Sequence, residues 1–391
     1  MKQFTPITHT LSSESREKIM SLFHKIHAAQ REWTLHKSEI LRSKHESSVI
    51  YKPDPQIYNY IPAEIREKIE KNLPYTHYSY SFTILLRRFK IHFMCSSEIN
   101  HTHVLQKIER IYQWFIIACA QNPNLQCSKN VNVYLYCIDF PKMLPQNKKF
   151  EKIDTIHANT AFTTGCQLST DIVLFREEEW FKVLMHESFH NLGLDFIELP
   201  SADLEIIERE LRQRFKIEQV NDIRFYETYC EMWAEIMNIL FIVYYTRSSS
   251  HFTRRKTMKQ NVLWKNLWKG FKQKMMYECL FSCFQCAKIM RHNKIHYIDF
   301  IKTSPREISY QENTYVFSYY VLKSILLFDY PAFLDFSDTM KFQLTLDHAK
   351  KYVDLISRNY QNPIYLKTVA NMENSISTEC KDTLRMTLFE I

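Results

Sequence analysis

Hydrophobic and polar positions change their period several times along this chain. Residues 1 to about 75 read as helices broken at "YKPDPQ", with "PAEIREKIEKNL" a short amphipathic helix opened by Pro62. From Tyr78 the pattern becomes "YSYSFTILLRRFKIHF", β-branched and aromatic with partial alternation, which predicts a strand of the partly buried kind. "HVLQKIERIYQWFIIACAQ" has helical spacing, and "VNVYLYCIDF" reads as a second strand. After a polar stretch from Pro141 to His157, "NTAFTTG" and "DIVLF" read as two short strands, and a helix is expected from about Arg176.

Beyond that helix the period is helical nearly throughout. "DLEIIERELRQRF" carries Leu204, Ile207, Leu211 and Phe215 at spacings of three and four, a further helix is expected from about Phe225 to Tyr245, and the chain from 257 onward reads as almost wholly helical. The order is strand, helix, strand, strand, strand, helix, then helices, so the expected class is α+β with a small mixed sheet. Three segments are expected: a helical extension over 1–75, a core over 76–250 and a helical subdomain over 251–391.

Composition sharpens this in one respect. The 391 residues include only three glycines, so left-handed turns are scarce, loops must rely on Asn, Asp, Ser and Pro, and helices are favoured. The formal net charge of +8 is modest for this length and decides nothing about nucleic acid. Ten cysteines at irregular positions, several within apolar runs, argue for buried thiols in a reducing compartment rather than a disulfide scaffold. The first residues lack the apolar region of a signal peptide, and the longest apolar run, "IMNILFIVYY", is about half a membrane span. These features predict a soluble, intracellular chain without a membrane span.

The candidate chemistry lies in "FREEEWFKVLMHESFHNLGLDF". His186, Glu187 and His190 fit H-E-x-x-H, which on a helix puts two imidazoles one turn apart on one face, at the reach of a single zinc ion, with the carboxylate able to face its water. Zinc lowers that water's pKa toward about 7, and an adjacent carboxylate can take the proton as water attacks a polarised carbonyl. Sixteen histidines weaken the motif as proof, so context must support it. Trp180, Val183, Leu184, Phe189 and Leu192 supply that context by making the helix apolar on most of its remaining surface.

A third ligand is needed. The histidine position six residues after His190 is Phe196, and Asp195, one short of it, is a candidate to orient a ligand histidine. Downstream, "YETYCEMWAEIMNILF" offers Glu227, Glu231 and Glu235 in one stripe of an otherwise apolar helix, where a carboxylate must be paired or bound to metal if the helix is buried, or else faces solvent.

His186, Glu187 and His190, followed some forty residues later by "EMWAE", resemble the zincin metallopeptidases of the gluzincin type, closest to the lethal-factor and Pro-Pro endopeptidase group. The longer string with "YVFSYYVLKSILL" also resembles metallopeptidase-like proteins of large nucleocytoplasmic DNA viruses. The resemblance covers roughly residues 130 to 330. It implies a zincin-like fold and a zinc-dependent endopeptidase with His186, His190 and Glu231 as ligands and Glu187 as general base. It also implies a peptide substrate added as a strand along an edge formed by "NTAFTTG" or "DIVLF". The family's tyrosine would fall where Arg224 stands, so the transition-state donor passes to Tyr226, Tyr229 or a tyrosine of "NTYVFSYYVLK", such as Tyr319.

Two other readings stand beside this one: a non-catalytic virion or assembly protein on the same scaffold, and a basic helical protein that binds nucleic acid. "RRKTMKQNVLWKNLWKGFKQK" mixes basic and aromatic residues, but its aromatics fall on one face and its lysines on the other, as on any surface helix. Nucleic acid is therefore the lesser expectation. Cys279, Cys283 and Cys286 have a spacing seen in iron–sulfur proteins, yet they lie in an apolar, glycine-free helix and read as buried thiols.

Overall fold

A computed structural model describes residues 9–47, 55–71, 76–95, 101–146, 151–217, 223–252, 260–301, 308–374 and 382–391. Residues 51–54 of the expected break at "YKPDPQ" and residues 254–259 of the basic aromatic segment lie outside the described residues.

Six strands, β1 (His45–Ser47), β2 (Thr76–Ile84), β3 (Arg87–Cys95), β4 (Asn130–Ile138), β5 (Ala161–Thr163) and β6 (Ser169–Arg176), form one mixed sheet in the order β1-β2-β3-β4-β6-β5. β3, β4 and β6 are parallel, while β1, β2 and β5 each run antiparallel to their neighbours. The class is mixed helix and strand, compatible with α+β.

The helices are α1 (Ser13–Arg42), α2 (Pro55–Tyr58), α3 (Ala63–Lys71), α4 (His101–Cys119), α5 (Thr155–Ala158), α6 (Trp180–Asn191), α7 (Ser201–Phe215), α8 (Phe225–Phe252) and α9 (Gln260–His292). A π-helical turn, Phe317–Leu322, runs directly into α10 (Lys323–Phe328), followed by α11 (Tyr330–Phe336), α12 (Leu346–Asn359) and α13 (Pro363–Asn374). None of the described helices is long and apolar enough to cross a membrane.

Alternation along β4 explains how the sheet is covered on both faces. Val131, Val133 and Leu135 point into the main core, while Tyr134, Tyr136 and Ile138 join Ile65 and Ile69 of α3 in a smaller cluster. The main core is continuous from Ile19 in α1 to Met386 near the C-terminus. The segment read as an N-terminal extension thus contributes a core helix: Ile19, Phe23, Ile26 and Ala29 are fully buried.

The first predicted strand is in fact two. β2 and β3 form a hairpin whose last pair is Ile84 with Arg87, leaving Leu85 and Leu86 as a two-residue turn. Both adopt left-handed backbone, with φ of 47° and 67°. Such a turn suits hairpin twist and normally recruits Asn-Gly, because an L-residue held there costs roughly 1–2 kcal/mol. Two leucines carry no turn signal, so the sequence reads as unbroken.

Local rules also set the end of α6. Gly193, at φ 60°, donates to the His190 carbonyl, and Leu194 donates to that of Phe189, a Schellman closure. A Cβ at Gly193 would sit 3.0 Å from Cys127 Sγ. Cys127 is disulfide-bonded to Cys166, a departure from the reduced-thiol expectation, since the loop before β6 brings together two cysteines 39 residues apart in sequence. The other described cysteines are free, and Cys279, Cys283 and Cys286 are buried as expected.

Candidate metal centre

All twelve residues of α6 are buried, because the helix is wedged between the sheet and α8. Its start follows Arg176 by four residues, since β6 continues through that position. His186 and His190 face α8 from successive turns, with their Nε2 atoms 3.2 Å apart. Glu227, in the first turn of α8, puts Oε2 at 3.0 Å from His186 Nε2 and 3.2 Å from His190 Nε2. These three residues can hold a metal ion. Donors of one ion in a tetrahedral site, each about 2.0–2.1 Å from it, would be roughly 3.3 Å apart, close to the spacing observed.

The sequence expectation named Glu231, one helical turn further on. Its Oε1 lies 3.0 Å from the other nitrogen of His186, Nδ1, off line for a hydrogen bond, while Oε2 takes Lys182 at 2.5 Å and Lys323 at 3.2 Å. Glu231 therefore braces the far side of His186 and is already neutralised by two ammonium groups. The correction is one turn along the stripe: α6 and α8 cross so that the first glutamate of α8, not the second, meets both Nε2 atoms.

Electrostatics follow the same division. Burial alone would raise the pKa of Glu227, but the imidazoles of His190 and His186 hold it well below the carboxylate range. Burial is likewise overridden at Glu231, where Lys182 and Lys323 push the pKa down. Among the described residues Glu187 has no such partner, and burial pushes its carboxyl up despite the nearby histidines.

Asp195 makes the contact that its expected bracing role requires. The turn at Gly193 returns the chain so that Asp195 Oδ2 lies 2.6 Å from His190 Nδ1. Two of the three named tyrosines also flank the centre. Tyr319 donates its hydroxyl to Glu227 Oε2 at 3.3 Å, and Tyr226 sets its ring edge-on to His190 at 6.1 Å. Tyr229 points away and donates to the Met340 carbonyl. Arg224 lies with its guanidinium 4.2 Å from the centre of the Tyr315 ring.

Sequence reasoning missed a second polar layer one turn from the first. Lys323 pairs with Glu235 at 2.8 Å, and the Thr387 hydroxyl lies 2.8 Å from both Glu235 and Glu278. Residues 382–391 cross this layer: Met386 and Thr387 donate backbone N–H groups to Glu179, and Leu388 and Phe389 donate to Glu278. Glu179 also pairs with buried Lys142. A signal was available, since Lys182 and Lys323 sit inside the apolar runs "WFKVLMH" and "YYVLKSILL", where an ammonium group demands a carboxylate.

Access to the centre is narrow: His186, Glu187 and His190 are 4 %, 8 % and 7 % exposed. A cavity of about 670 Å³ lies elsewhere, between α1 and the open end of the sheet, and none of its lining residues belongs to the centre. Comparison with family models, curated proteins and solved structures found no match, so the functional reading rests on this geometry.

Proposed function

We propose that this chain is a zinc-dependent endopeptidase of the zincin type, with His186, His190 and Glu227 as ligands and Glu187 as general base. The observation that carries the reading is the convergence of His186 Nε2, His190 Nε2 and Glu227 Oε2 within 3.2 Å of one another, beside an unpaired buried carboxyl. Two imidazoles and one carboxylate suit zinc, which takes nitrogen and oxygen donors and leaves a fourth position open in catalytic sites. When bound, the ion would supply Lewis-acid polarisation of the scissile carbonyl and acidify the attacking water.

The remaining steps belong to the chain. Glu187 takes the water proton on its carboxylate and returns it to the leaving amine nitrogen, a task suited to the raised pKa of a buried acid. Tyr319, with its hydroxyl 3.3 Å from Glu227 Oε2, can donate to the oxyanion of the tetrahedral intermediate. Its π-helical setting is a frequent feature of functional sites. Asp195 and Glu231 keep both rings turned toward the centre. A peptide substrate would add as a strand to β5, the edge of the sheet, which packs against α6.

A second reading, a metal-holding scaffold without catalysis, draws on the low exposure of the three motif residues. The experiment is metal analysis of protein purified without chelator, then digestion of a peptide library by wild type and Glu187→Gln at matched zinc content. A peptidase should carry one zinc per chain and lose about 10²- to 10⁴-fold activity in the variant with metal retained. Absence of metal sinks both readings. Metal without cleavage by either protein selects the scaffold.

A further inference from the structure

The turn at Leu85 and Leu86 has a second property besides its left-handed backbone. The side chains are 60 % and 72 % exposed at the tip of a hairpin, beyond the last paired residues. A chain that holds two L-leucines in left-handed conformation and leaves both in water has a local conflict with no gain inside the fold. Such conflicts point outward, to something the tip touches.

The surroundings of the tip narrow the choice. Arg88 donates its backbone N–H to the Lys129 carbonyl, and Asn130 donates to the Leu168 carbonyl, so these residues share one end of the sheet with the turn. Leu168 is 51 % exposed and adds a third leucine on the next loop. Arg88, Lys90 and Lys129 are exposed around them, while among the described residues Glu39 is the one carboxylate lining the neighbouring cavity. The tip is convex and narrow, unlike the broad apolar face of a stable protein interface. Leucines projecting ahead of a basic collar suit the boundary between anionic headgroups and acyl chains, where apolar side chains enter and cations stay at the phosphates.

We propose that the β2–β3 tip, with Leu168 beside it, is a membrane-surface contact that inserts Leu85 and Leu86 shallowly into anionic lipid. This inference is independent of the metal centre. It places the protein at a lipid surface that none of the described helices spans.

The test is flotation of the full chain with vesicles of phosphatidylcholine alone and of phosphatidylcholine and phosphatidylserine in equal parts, at low and high salt. Wild type should bind the anionic vesicles and be released by salt. The double variant Leu85→Asn, Leu86→Gly installs the residues that such a turn prefers, so its Tm should equal or exceed that of wild type while its partition falls about tenfold or more. Arg88→Glu with Lys129→Glu should also abolish binding to the anionic vesicles. The proposal is overturned if wild type stays in solution with the anionic vesicles, if it binds neutral vesicles equally well, or if the Asn-Gly variant floats like wild type. Self-association that the Asn-Gly variant loses, with no vesicle binding by either protein, would put a second copy on the tip and overturn it too.

Discussion

The interior of this protein holds two polar layers one helical turn apart, and they are solved differently. In the layer of His186, His190 and Glu227, a buried carboxylate faces two ring nitrogens and, among the described residues, no lysine or arginine. In the next layer, Glu231 and Glu235 face Lys182 and Lys323, and the charges balance within the protein. A buried carboxylate needs a positive partner. The second layer supplies its own. The first has either a protonated imidazole or a bound cation, and so it is the layer that can receive a metal.

The largest effect should come from unbalancing the self-sufficient layer. Lys323→Met removes the ammonium group shared by Glu231 and Glu235 and should destabilise the fold by about 3–5 kcal/mol, read by denaturant unfolding of the metal-free protein. If stability is unchanged, the lysine is not the counter-charge assigned to it.

Next come the two glutamates that the comparison separates. Glu227→Ala should weaken zinc binding by more than a hundredfold, about 2.7 kcal/mol or more, in a competition titration. Glu231→Gln should weaken it by about 10- to 100-fold, the scale for a group that orients a ligand. The reverse order would return the ligand role to Glu231.

The last expected effect is a change of slope. Burial and the nearby Glu235 push the Glu278 carboxyl up to about 8 from its ordinary 4.5. The folded state then holds a proton that the unfolded chain releases, so this group's contribution to stability falls as pH rises from about 4.5 to about 8. Glu278→Gln cannot ionise and should flatten that part of the stability profile, with its greatest gain over wild type above pH 8. Chemical denaturation across that range reads it, and parallel curves for the two proteins would mean Glu278 ionises normally.

Much of the candidate site was legible before any fold. The motif helix, the grouping of the three glutamates in one stripe and the candidacy of Asp195 beside a histidine follow from residue type and period, because a helix fixes which side chains share a face. The third carboxylate was not legible. Glu227, Glu231 and Glu235 are equivalent along their own helix, and only the crossing of α6 over α8 singles one out. The hairpin was hidden for a different reason: Leu85 and Leu86 take a conformation their residue type disfavours, so the expected punctuation is missing.

By itself, then, the sequence determined most of the elements, a helix carrying two imidazoles and a carboxylate, and a second helix apolar on nearly every side but its glutamate stripe. These are consequences of local periodicity and of the cost of exposing or burying a side chain. Tertiary structure decided which glutamate meets the histidines, which lysines neutralise the others, and that the C-terminal residues donate backbone N–H groups to Glu179 and Glu278. Those outcomes join residues as far as 208 positions apart, through hydrogen bonds and ion pairs that form only once packing has fixed where each side chain ends.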